Sequence, residues 1–115
     1  MLNRDQILRQ TALPRATLDV PEWGGTVTVR GLTGAERDAF EAGCMASRGG
    51  VRNLANARAR LVCLAVCDEE GTRLFSDGDA AAIGQLSAAA LDRVFELAAR
   101  LSGMTASDQE EMLGN

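Results

Sequence analysis

Three cysteines, Cys44, Cys63 and Cys67, carry whatever nucleophilic or metal-binding chemistry this chain can offer. Cys63 and Cys67 are four residues apart, so a helix would place both thiols on one face. Two thiolates leave a tetrahedral zinc site half made, and the chain has no histidine to complete it. Packing as small apolar residues is the favoured reading for this pair. Cys44 has only carboxylates to activate it as a nucleophile. A second grouping, Asp68, Glu69, Glu70, Asp77 and Asp79, invites a calcium reading. An EF-hand loop counted from Asp68 needs Gly at its sixth position and Glu at its twelfth. Arg73 and Asp79 stand there instead, and the pattern fails. The pairs Gly24-Gly25 and Gly49-Gly50 lack the Gly-Lys-Ser/Thr of a phosphate loop, since the chain contains no lysine. No catalytic residue, metal ligand or cofactor site is expected.

Composition narrows the classes further. Without histidine there is no Ser-His or Cys-His pair and no side chain that ordinarily titrates near neutrality. All twelve basic residues are Arg, set against sixteen acidic ones, for a net charge of −4. An acidic chain lacks the basic face of a general nucleic-acid binder. The arginines on the third predicted helix therefore make a weak case for helix-turn-helix binding. The longest apolar run, Leu61 to Cys67, is too short to span a bilayer. The N-terminal MLNRDQILRQ has no apolar segment of the signal-peptide kind. Free thiols in a reducing cytosol are the expectation. At 115 residues one domain is expected, burying roughly 60–70% of its unfolded surface. Aromatic residues are only 3%, so small aliphatic side chains must fill the core, which suits close-packed helices.

The elements follow from period and punctuation. Residues 1–15 are either flexible or hold a short helix over 3–10. Leu18 and Val20 precede Pro21, and Thr26 to Val29 follow Gly24-Gly25, which predicts a β-hairpin over 16–31. Thr33 with Glu36 has capping-box spacing and opens a helix from about Ala35 to Ser47. Gly49 or Gly50 would then end it. Leu54, Ala57, Leu61, Leu64 and Ala65 form one stripe, predicting a central helix from Asn53 to about Cys67. Asp68 to Gly71 reads as a turn and Thr72 to Phe75 as a short strand. Ser76 to Asp79 caps an Ala-rich stretch over 79–86. Ser87 caps a helix over 88–102 that Gly103 ends, and Ser107 with Glu110 opens a last acidic helix ending near Leu113. The fold class is α+β, mainly α: a small N-terminal hairpin packed on about four to five helices, the helical part spanning 33–113. Trp23, the sole Trp, either covers the core at the hairpin tip or anchors a partner.

The segments ALPRATLDVPEWGGTVTVRGLTGAERDAFE, RARLVCLAVCDEEGTRLFSDGDAAAIGQLSAAALDRVFELAARLSG and EEMLGN, in that order, resemble the tail assembly chaperones of long-tailed bacteriophages and prophages. The resemblance spans Leu13 to Asn115 and rests on structural motifs. It implies a non-enzymatic protein that binds the tape measure protein and keeps its apolar helical segments soluble. It also implies promotion of tail tube assembly around that protein, in the bacterial host cytoplasm, and absence from the mature virion. Many such proteins also exist in a longer form made by frameshifting, for which Leu113-Gly114-Asn115 would be the place. The major tail tube protein is a second expected partner. Several copies along an extended partner would gain avidity, which points to a homo-oligomer; nucleic acid and membrane are not expected partners. The expected partner surface is Trp23, Arg30, Leu32, Arg73 and Phe75, although Trp23, Leu32 and Phe75 would equally serve to seal the hairpin onto the third helix. Two rival classes remain at this stage: a minor tail or head–tail connector protein retained in the virion, and a small enzyme working through carboxylates.

Overall fold

The apolar period of the chain switches from two to 3.6 near Leu32, and the architecture changes there with it. The computed structural model describes residues 1–45, 47–48, 51–52 and 56–113. Helix α1 (Arg4–Leu8) is closed by a reciprocal cap between Asn3 and Gln6 and has no buried residue. Strands β1 (Arg15–Val20) and β2 (Gly25–Arg30) pair antiparallel in unbroken register from Arg15↔Arg30 to Val20↔Gly25. Between them a 3₁₀ turn, Pro21–Trp23, leads into Gly24 at φ +79°, a conformation that suits a residue without Cβ. Ala16, Leu18 and Val20 turn towards the core while Arg15, Thr17 and Asp19 stay in water, the period-two pattern of a half-buried strand.

Helix α2 (Gly34–Met45) starts at the predicted capping box. The Thr33 N–H donates to Glu36 Oε1 at 3.0 Å, and the Glu36 N–H donates to Thr33 Oγ1 at 3.1 Å. The helix stops two residues short of the predicted Ser47, and Ser47–Arg48 (β3) pairs antiparallel with Val51–Arg52 (β4). The expected stop at Gly49-Gly50 and residues 53–55 of the third predicted helix, Leu54 included, lie outside the described residues, and Asn56, at φ +54°, stands before the helix and not within it. Helix α3 (Ala57–Ala65) is the central one, with Ala57, Ala59, Leu61, Val62, Cys63 and Ala65 buried.

The expectation that α3 reaches Cys67 is corrected. Val66 takes an extended conformation, and Val66–Cys67 (β5) pairs antiparallel with Val29 and Thr28 of β2. Sheet pairing of a β-branched residue outcompetes one more half-turn of helix. The hairpin thus becomes a three-stranded sheet of order β1-β2-β5, and Cys63 and Cys67 no longer share a helical face. The predicted strand Thr72–Phe75 is reduced to one bridge between Arg73 and Cys67. The Ala-rich stretch forms α4 (Ala80–Ile83) behind the Ser76–Asp79 cap. Helix α5 (Ala88–Leu101) is capped by Ser87 and packs its Leu91, Val94, Phe95 and Ala98 face onto α3. Helix α6 (Ala106–Leu113) is capped by Thr105 with Asp108, two residues before the predicted Ser107 and Glu110. Both pairs have the same spacing, and spacing alone cannot choose between them.

Two contacts fix the sheet to the helices. Gly31 lies so close to the end of α5 that a Cβ there would sit 2.5 Å from the Leu101 carbonyl oxygen. Arg30, at the end of β2, is buried to 7% exposure. Its Nη1 and Nη2 donate to Glu36 Oε1 and Oε2, each at 2.8 Å, and Nη1 also donates to the Gly31 carbonyl at 3.2 Å. The Arg30 fork, with help from the Thr33 donors, holds the Glu36 carboxyl down at about 2 against burial, which acts to raise it. A carboxyl depressed in this way stabilises the fold at pH values above its unfolded value, and the contribution is lost as pH falls through the folded one.

Two outcomes are expected. Gly31→Ala should lower stability by about 2 kcal/mol or more, read from urea unfolding, because the obstacle is backbone that cannot rotate away. The native chain should lose about 3 kcal/mol between pH 4.5 and 2 through Glu36. Glu36→Gln should start less stable at neutral pH and show a correspondingly flatter pH profile over that window; an unchanged profile would remove Glu36 from this role.

Candidate functional site: a groove between α2 and α3

Helix α2 carries Ala35, Ala39 and Gly43 at four-residue intervals, so one of its faces presents small residues in a line. Phe40 and Cys44, one position further round, are the ones that bury. The small residues leave a groove of about 500 Å³ between α2, α3 and the segment from Arg73 to Ala80. Ala35, Ala39, Phe40, Gly43, Leu64 and Ala80 give it apolar walls, and Glu36, Arg60, Arg73 and Asp77 supply its charged groups.

Those charges are held in place. Glu36 is fixed by Arg30 from beneath. Arg73 donates from Nε to the Cys63 carbonyl at 3.1 Å, in the last turn of α3, where a cation suits the negative end of the helix. Its Nη2 donates to Asp77 Oδ1 at 2.8 Å. Arg60 Nη2 lies 3.6 Å from Cys44 Sγ. The first turn of α2 is tied down on another side as well: Arg37 donates to Glu41 at 2.8 Å, to the Ser102 carbonyl at 3.3 Å and to Asp108 at 3.4 Å. Fixed ion pairs around an apolar trough suit recognition of an apolar segment by shape, with little reorganisation on binding.

The five residues expected to form a partner surface do not make one patch. Arg73 lines the groove. Phe75 is half-buried against the core. Trp23 is also half-buried against the core, at the hairpin tip, where the neighbouring Glu22 pairs with Arg93 of α5. Its Nε1 is buried with no hydrogen-bond partner among the described residues. Leu32 is buried, and its N–H donates to Ser102 Oγ at 3.0 Å. Arg30 is inside, and reaches the groove only through Glu36. Sequence reasoning did not single out Ala35, Ala39, Gly43, Arg60 or Leu64 as a site. The Ala35-Ala39-Gly43 interval was the available signal, since four-residue spacing lines small side chains along one helical face.

Each carboxylate of the groove is paired with an arginine, Glu36 with Arg30 and Asp77 with Arg73. Burial pushes the Cys63 and Cys67 thiols up, away from the reactive thiolate. No group of three or more Cys, Asp or Glu among the described residues is arranged to hold a metal ion. Among the described residues no helix is long and apolar enough to cross a membrane.

No curated protein matches this chain significantly. The structure of the bacteriophage HK97 tail assembly chaperone is similar at 25% sequence identity and a TM-score of 0.60, over 84% of this chain and 97% of that one. The family described as phage tail assembly chaperone matches residues 3–112, nearly the whole length, and this chain belongs to that family.

Proposed function

We propose that this protein is a non-enzymatic chaperone that binds the tape measure protein, keeps its apolar helical segments in solution and promotes tail tube assembly around it. The observation that carries the reading is the groove: an apolar trough between two helices, flanked by charges that are already paired. An amphipathic or apolar helix laid into it would bury its stripe against Ala35, Ala39, Phe40 and Leu64. Arg73 contacts the segment at the groove. Arg30 and Leu32 act from within by holding α2 in place, and Trp23 and Phe75 extend the apolar contact beyond the groove. The major tail tube protein is a second partner in this reading, several copies act together along the extended chain, and the work is done in the host cytoplasm and not in the finished particle.

Co-expression with the neighbouring tape measure protein, followed by a solubility assay and pull-down, tests the proposal. Wild-type protein should bring the partner into the soluble fraction and co-purify with it. Ala39 is exposed on α2, so Ala39→Glu should fold normally while filling the groove with charge, and should reduce partner recovery about tenfold or more. Arg73→Ala should weaken recovery by a smaller factor. Undiminished recovery with a folded Ala39→Glu variant would rule out the groove. An insoluble partner beside folded wild-type protein, with the chain found in purified virions by mass spectrometry, would favour a retained tail component.

A further inference from the structure

One end of the α2–α3 groove carries a cation with two unlike supports. Arg60 lies against Cys44 at the end of α2, while α3 runs on into β5, which enters the sheet beside Arg30, the residue that grips Glu36 at the start of α2. Helices α2 and α3 therefore run in opposite directions. Arg73, bonded to the last turn of α3, lies towards the Ala35 end of the groove. Its Nε donates to a backbone carbonyl, that of Cys63, which cannot move without unwinding α3. Its Nη2 donates to Asp77, whose side chain is 85% exposed in the turn before α4. Nη1 has no hydrogen-bond partner among the described residues, so donors remain at that end of the groove. Glu36, the other carboxylate of the groove, has both oxygens taken by Arg30 and offers an incoming cation little.

We propose that Arg73 selects, among apolar helical segments, those with a carboxylate one turn beyond the apolar stripe, and that this carboxylate replaces Asp77 on the guanidinium. The inference rests on the groove being the client site. An exposed Arg–Asp pair is weak because water screens it. A helix laid over Ala35 and Ala39 excludes water from Arg73, and a carboxylate that arrives with it bonds the guanidinium in a drier setting, where the bond is stronger. Asp77 then returns to water at little cost. A wholly apolar segment would cover the Nη1 donors and leave them unsatisfied. A segment with Lys or Arg there would have to draw Asp77 away from Arg73 while facing a guanidinium that its backbone bond keeps in place. Helical spacing sets the position: the carboxylate stands about three or four residues from the last apolar anchor.

Peptides tiled along the neighbouring tape measure protein, each carrying a fluorophore, are titrated with the purified full chain, and binding is read from anisotropy. The segments that bind should have Asp or Glu about three or four residues beyond one end of an apolar stripe. Neutralising that carboxylate as Asn or Gln should weaken the best binder about fivefold or more, and Lys should weaken it further. Arg73→Ala should cost the same factor against the acidic peptide and almost nothing against its neutral form. Asp77→Asn removes the competing carboxylate and should tighten the acidic peptide about twofold to threefold; weaker binding by this variant would overturn the exchange. Circular dichroism confirms that each variant is folded. If segments bind and Ala39→Glu abolishes their binding, yet neutralising the carboxylate or Arg73 changes nothing, selection by charge is overturned and the groove reading stands. If no segment binds the folded chain, the groove reading itself fails and this inference falls with it.

Discussion

One buried charged group governs how the two halves of this molecule meet. Arg30 ends β2 on the sheet face opposite Val29, buried beside α2, and a guanidinium cannot give up its proton to lessen the cost of burial. It must be matched, and Glu36 matches it with both oxygens while also closing the first turn of α2. A single carboxylate therefore caps a helix, neutralises a buried cation and sets the angle between sheet and helix. The position of α2 follows from it, and with α2 comes the width of the groove.

The groove owes its existence to what the helices lack. A core with few aromatics is filled by Leu, Val and Ala from α3 and α5, which interlock closely. Helix α2 contributes Phe40 and Cys44 to that core but offers only Ala35, Ala39 and Gly43 beside them. Small side chains cannot fill the space above α3, and apolar surface stays open to an incoming segment. Arginine–carboxylate pairs, Arg30 with Glu36 and Arg73 with Asp77, border that open surface.

The sheet serves both ends of the molecule. Its inner strand receives β5 directly from α3, so the central helix and the sheet are one continuous piece of chain. Its outer strand, β1, pairs with β2 alone among the described residues and lies on a different element from the α2–α3 groove.

The sequence by itself determined the local structure. The hairpin, the Thr33–Glu36, Ser76–Asp79 and Ser87 caps, the stop at Gly103 and the amphipathic face of α5 all rest on neighbours within a few positions. These signals survive folding because tertiary contacts reinforce them. The family resemblance, carried by motifs in order along the chain, was legible for the same reason. Where a local signal was ambiguous, tertiary contact decided. Val66 left the helix because β2 offered it a strand partner, and Thr105 took the last cap ahead of Ser107. The partner surface was the least legible part. Arg30, Leu32, Trp23 and Phe75 look like recognition residues in one dimension, yet all are buried to differing degrees. The groove needs residues from α2, α3 and the segment beyond β5, brought together from positions 35 to 80. No local pattern can report a space between elements, because its width depends on how they dock.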